Sequence, residues 1–134
     1  MIRIQCLTID CHNPKLLGEF WGEVLGWQVT HESEFEVVVE PPAGSPLQNV
    51  APDILFLKVP DKKIVKNRLH LDLRPDDRDT EVARIKKLGA VEVEIGQSQD
   101  PNVTWVVLAD PEGNEFCVLQ PPQGESTTAF FNLI

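Results

Sequence analysis

At 134 residues, with 42% hydrophobic and 25% charged side chains, the chain has ordinary globular composition and enough length for one domain with a real core. A formal net charge of −9 argues against a nucleic-acid partner, and no apolar run approaches the ~20 residues that a membrane-spanning helix needs. Three cysteines, Cys6, Cys11 and Cys117, make poor disulfide arithmetic and fit a reducing, cytoplasmic setting.

Taken in order, residues 2–10 alternate and predict a first strand, with no charged-then-apolar leader ahead of it. Leu7, Ile9 and Cys11 fall on one face, Cys6, Thr8 and Asp10 on the other. Asn13 is a good N-cap and Pro14 suits the first helical position, where a missing N–H costs nothing. Leu16, Leu17, Phe20, Trp21, Val24 and Leu25 then recur at helical spacing until Gly26 supplies a left-handed stop. Residues 27–32 and 36–40 read as a hairpin, 41–52 as a proline-rich loop that could close over a cleft or merely connect, and 53–59 as a fourth strand.

The second half repeats this order. Residues 68–74 predict a strand with Leu69, Leu71 and Leu73 facing one way and His70, Asp72 and Arg74 the other. Asp77 caps a helix whose stripe is Val82, Ile85 and Leu88, with acids in its first turn, lysines in its last and Gly89 after it. Strands are expected at 91–95, 103–109 and 115–120, the last two joined by a tight structural turn at Asp110-Pro111-Glu112-Gly113-Asn114. Lys62, Lys63, Lys66 and Arg68 read as a solvated loop ahead of an anion-binding feature. Asn13 and Asp77 lie 64 positions apart and Gly26 and Gly89 lie 63 apart, so a strand–helix–strand unit is repeated nearly in register. Such a duplication suggests two related halves sharing a cleft for a small molecule.

The leucine face of each first strand matches its helix, which leaves Cys6, Thr8 and Asp10, and His70, Asp72 and Arg74, for a concave side. His70 shares its face with charged groups and is the candidate for acid–base work or ligand contact. Asp72 orients a protonated His70, holds a substrate amine, or merely pairs with Arg74 or Arg68. Trp105 and Phe56 line the cleft or belong to the core, and Glu115 is cavity wall or rim. Cys11 reads as core, and His12 and His31 fall away from the cup.

Two βαβββ units, the Phe20-Trp21…Leu25-Gly26-Trp27 helix exit, and the Asp110–Asn114 turn before the last strand resemble the vicinal-oxygen-chelate superfamily of glyoxalases, extradiol dioxygenases and bleomycin-resistance proteins. More narrowly, Asp10-Cys11 with Asn13-Pro14, the run from Lys66 to Leu73, and Asp110 to Cys117 resemble its glyoxalase-like subgroup. The resemblance covers nearly the whole chain to about Gln120. It implies an α+β fold, with modules at 1–60 and 68–120 forming a cupped eight-stranded mixed sheet, helices on its outer face, and a tail at 121–134. Open strand edges and the apolar Phe130-Phe131…Leu133-Ile134 end, read as packed on the body or on a partner chain, suggest a homodimer, which the resemblance also favours.

Enzymes of the superfamily hold a divalent metal with four side chains, one each from the first and last strands of both modules, usually His, Gln or Glu. Carried over by position, these become Cys6, His70 and Cys117, with the fourth lost at Phe56, or at Leu57 if the register slips. Gln5 is a more usual ligand type than Cys6 but should face the helix. Cys6, His70 and Cys117 make a chemically reasonable zinc set, although no pair has short metal-binding spacing. Plain burial of both thiols, or a redox role for one, stays open. The resemblance therefore implies a small-molecule-binding protein, as an enzyme a zinc- or nickel-dependent lyase or isomerase acting on a small carbonyl compound with His70 or Asp72 moving protons. The alternative is a metal-free binder that sequesters its ligand. A dioxygenase is disfavoured, since only one histidine is suitably placed.

Overall fold

The computed structural model describes residues 1–124; residues 125–134, with the apolar end expected to pack, lie outside the described residues. The protein is α+β, with two βαβββ-like modules, each holding a four-stranded mixed sheet and one helix. The chain divides into one unit at Met1–Lys62 and a second beginning at Lys63.

The first unit contains β1 (Cys6–Cys11), α1 (Pro14–Leu25), β2 (Gln28–Glu32), β3 (Glu36–Glu40) and β4 (Asp53–Lys58), in the sheet order β1-β4-β3-β2. β1 and β4 are parallel, which requires the intervening helix and hairpin as a crossover. β1 starts later than the alternation at residue 2 suggests: the Asp53 N–H still donates to the Gln5 carbonyl at 3.1 Å, but the next N–H on that side, that of Ala51, is taken by the Leu47 carbonyl at 3.0 Å. Ile2 and Ile4 are accordingly exposed.

Helix α1 follows its local signals. Asn13 accepts from the Leu16 N–H at 3.1 Å, Pro14 opens the helix, and Gly26 closes it at φ 67°. Leu17, Phe20, Trp21 and Val24 are buried, with Phe20 and Trp21 edge-on at 5.5 Å, whereas Leu16, expected in the stripe, is 42% exposed. The helix packs on β3 and β4, whose alternation buries Val37, Val39, Ile54 and Phe56 beneath it.

The second unit contains β5 (Asp72–Leu73), α2 (Arg78–Leu88), β6 (Val91–Glu92), β7 (Val106–Ala109) and β8 (Glu115–Val118), in the order β5-β8-β7-β6 with β5 parallel to β8. Asp77 caps α2 by accepting from the Thr80 N–H at 2.7 Å, and Val82 and Ile85 are buried in a core with Leu108, Phe116 and Val118. The strands are shorter than their apolar patterns. Leu69 is exposed, and the expected strand at 68–74 narrows to its paired C-terminal part, Asp72–Leu73. After β6, the Glu94 carboxylate takes the Gly96 N–H at 2.6 Å and Trp105 Nε1 donates to Gln97 at 3.0 Å, so side chains divert the backbone from a longer ladder. The Asp110 turn is structural. Asp110 is 3% exposed and its carboxylate accepts from the N–H groups of Glu112 and Asn114 and from the Asn114 amide.

Candidate functional site

Strand alternation in the first unit leaves Cys6, Thr8 and Asp10 of β1 on the face away from α1, opposite Asp53, Leu55 and Leu57 of β4. Cys6 is exposed and its Sγ lies 3.8 Å from Thr8 Oγ1. Phe56 does not join this face. It is paired with Ile9, is fully buried on the α1 side, and so is core; Leu55 and Leu57 take the positions on the other face. The physical reason is the period of two along the strand, which sends neighbours to opposite sides. Gln5 lies outside β1 and is tied to Arg3 and Asp53 through its amide.

His31 lies in the hairpin, as expected. A bulge between Val29 and His31 brings His31, rather than Thr30, opposite Val38. This extra residue reverses the alternation and sets His31 on the side of Glu36, with Nε2 and Oε1 3.3 Å apart. His12 instead binds the Asp61 carbonyl at 2.8 Å.

The second unit brings together the groups with the most chemistry. Asp72 is directly opposite Cys117 across the parallel β5–β8 pair, so both point to one face. His70 Nδ1 lies 3.2 Å from Asp72 Oδ1. Ligand atoms of His70, Asp72 and Cys117 all lie within 4.8 Å of one another. Cys117 is 5% exposed, while the His70 and Asp72 side chains are 36% and 50% exposed, so a buried thiol meets two groups that solvent or a ligand can reach. Burial, and then the negative charge and hydrogen bond of Asp72, push the Cys117 thiol up to about 11, with the Lys66 ammonium opposing the shift. The thiol is therefore protonated at neutral pH and donates to Asp72.

The remaining sequence candidates are placed differently. Glu115 accepts from Lys63 Nζ at 2.8 Å and from the Asn67 N–H at 2.9 Å, so it pins the segment leading to His70. Burial works to raise its carboxyl, but Lys63 and the Asn67 N–H prevail and hold it below the usual range. Lys63 is thus a half-buried ion-pair partner and not part of a solvated loop; its only sequence signal was its place in a basic cluster. Arg74 is exposed just beyond the end of β5. Trp105 lies just before β7 and lines a cavity of about 120 Å³ with Glu92, Glu94 and Gln97. A larger cavity of about 410 Å³ in the first unit is bounded by Arg3, Gln5, Glu40, Asn49 and Asp53.

The His70, Asp72 and Cys117 donors suit a divalent ion. Zinc bonds of about 2.0–2.3 Å put tetrahedral ligand atoms roughly 3.3–3.8 Å apart, within the range these side chains span with small rotations. No helix among the described residues is long and apolar enough to cross a membrane.

Comparison with known proteins agrees with this architecture. The glyoxalase-like domain family matches residues 6–119. No curated protein matches the chain. Among solved structures, a glyoxalase/bleomycin resistance protein/dioxygenase family enzyme from Burkholderia phytofirmans PsJN is similar with TM-score 0.66 and 17% identity, over 87% of this chain and 97% of that one. A mutant fosfomycin resistance protein from Listeria monocytogenes, complexed with Mn(II) and a dihydroxypropylphosphonic acid, is similar with TM-score 0.67 and 15% identity, over 97% and 99%. A bleomycin-binding protein complexed with bleomycin gives TM-score 0.58 and 16% identity, over 90% and 100%. At these identities the structures testify to fold, and the family match supplies the rest: the chain belongs to the glyoxalase-like domain family of the vicinal-oxygen-chelate superfamily.

Proposed function

We propose that the protein binds a small organic molecule and acts on a small carbonyl compound as a lyase or isomerase, with His70 and Asp72 moving the proton. The observation that carries this reading is the 3.2 Å contact between His70 Nδ1 and Asp72 Oδ1 on side chains that solvent reaches. In neutral His70 the Nδ1–H donates to the carboxylate, which leaves the Nε2 lone pair to take a proton from carbon beside a carbonyl. The Asp72 charge then stabilises the imidazolium, and the Cys117 thiol holds the carboxylate in place. A divalent ion, where one is bound, would supply electrophilic polarisation of the carbonyl oxygen, and His70, Asp72 and Cys117 would hold it.

The test is hydrogen exchange. Small α-hydroxy and dicarbonyl compounds incubated with the protein in deuterated buffer should gain deuterium beside the carbonyl. H70A should slow this by about a hundredfold or more while leaving the melting temperature within the range of an ordinary surface change. Exchange that H70A leaves intact would sink the reading.

A second reading, a metal-free binder that sequesters its ligand, draws support from Leu55 and Leu57, which hold the β4 positions on the face of Cys6 and Thr8 and can supply no fourth ligand. It predicts saturable ligand binding with no exchange. Either reading is compatible with a homodimer, which we also propose: β2 is exposed along its whole length, and exposed edge strands are usually covered or paired. Sedimentation at micromolar concentration should give twice the chain mass.

A further inference from the structure

We infer that His70, Asp72 and Cys117 form a self-contained site for one thiophilic divalent cation, of the zinc class, lying wholly within the second unit. The resemblance to the superfamily implies ligands drawn from both modules, two of them on the first. The arrangement here is different: three donors of three kinds, nitrogen, oxygen and sulfur, already stand within 4.8 Å of one another on β8 and the segment around β5. Asp72 supplies the third donor, and it is there because the β5–β8 register sets it directly across from Cys117.

The donor set decides which ions fit. A thiolate is a soft ligand and imidazole a borderline one, a combination that suits zinc, cobalt or cadmium and is poor for magnesium, calcium or manganese, which prefer all-oxygen shells. Three protein ligands also leave a position open, which is the arrangement of catalytic and not of structural zinc. The backbone is already disposed for it. Glu115 anchors the chain before His70 through Lys63 and Asn67, and β8 carries both Glu115 and Cys117, so the donors are supported from both sides. Because the ion would displace the Cys117 thiol proton and the His70 Nδ1 proton to solvent, the proton-moving pair of the proposed function belongs to the ion-free chain and the polarising centre to the loaded one.

Metal titration of the full-length, reduced protein tests this without any organic ligand, so its failure leaves the exchange test untouched. Cobalt(II) or cadmium(II) added to the chain should produce a thiolate charge-transfer band that saturates at one equivalent, while magnesium leaves the spectrum and the melting temperature unchanged. C6S and C11S should keep the band and C117S should lose it. H70A and D72N alter exposed side chains and leave the fold intact; each should weaken binding by at least about tenfold, the scale seen when even an outer-shell partner is lost. Absence of a band, a band that survives C117S, or one that disappears in C6S would overturn the assignment, and unchanged affinity in both H70A and D72N would reduce the site to a lone thiol and overturn it as well.

Discussion

Gly18 of α1 sits directly over Val37 of β3. A β-carbon at Gly18 would overlap Val37 Cγ1 and lie 3.2 Å from Val37 Cβ, with Phe56 Cδ2 at 3.9 Å. Glycine normally weakens a helix by about 1 kcal/mol relative to alanine, so its presence in mid-helix needs a compensating reason. The reason here is the close approach of the helix to a strand whose inward residues are fully buried.

Gly18→Ala should therefore destabilise the protein by about 1–3 kcal/mol despite its better helix propensity. Val37→Ala in the same chain should recover part of that loss. Chemical denaturation of the two single variants and the double variant would show the coupling, and additive effects would contradict it.

Asp110→Ala should cost about 3 kcal/mol, since it leaves two backbone N–H groups and the Asn114 amide without their acceptor. Because the turn sets the start of β8, thermal melts of this variant should also lose cooperativity in the second unit. A variant as stable as the parent would mean that the turn is held by its backbone bonds alone.

Glu115→Gln should lower stability at neutral pH by about 1–3 kcal/mol. The folded carboxyl lies below its ordinary value of 4.5, so its contribution is fully present above that value and is lost as pH falls through the folded value. Urea midpoints of parent and variant should thus differ at pH 7 and converge in acid. A constant difference down to the acid limit would rule out the ionised Glu115 as its source.

The three thiols should separate by reactivity. At pH 8 an alkylating reagent should modify exposed Cys6 first and leave Cys11 and Cys117 until the chain unfolds. The Cys117 thiol is raised from 9.0 to about 11 in the fold, so the stability gained by keeping it neutral is intact below pH 9 and is lost as pH climbs through 11. Cys117→Ser should flatten that alkaline decline, as followed by denaturant midpoints between pH 8 and 11.

Both helices, their caps at Asn13 and Asp77, the left-handed Gly26 and the Asp110 turn were legible in the sequence, because each depends on residues within four positions of one another. The duplication was legible as well, since the same local order occurs twice, and it led to the fold. Strand lengths were not, because a strand ends where its partner stops bonding: the Ala51 N–H turns to Leu47 instead of β1, and side-chain bonds at Glu94 and Trp105 curtail β6 and β7. His70 and Asp72 could be placed on one face by alternation alone. Their meeting with Cys117, the turning of Phe56 into the core, the bulge that re-aims His31 and the pairing of Lys63 with Glu115 were decided by register between segments distant in the chain. Local pattern sets which way a side chain points relative to its own strand, but only the packed sheet sets what it points at.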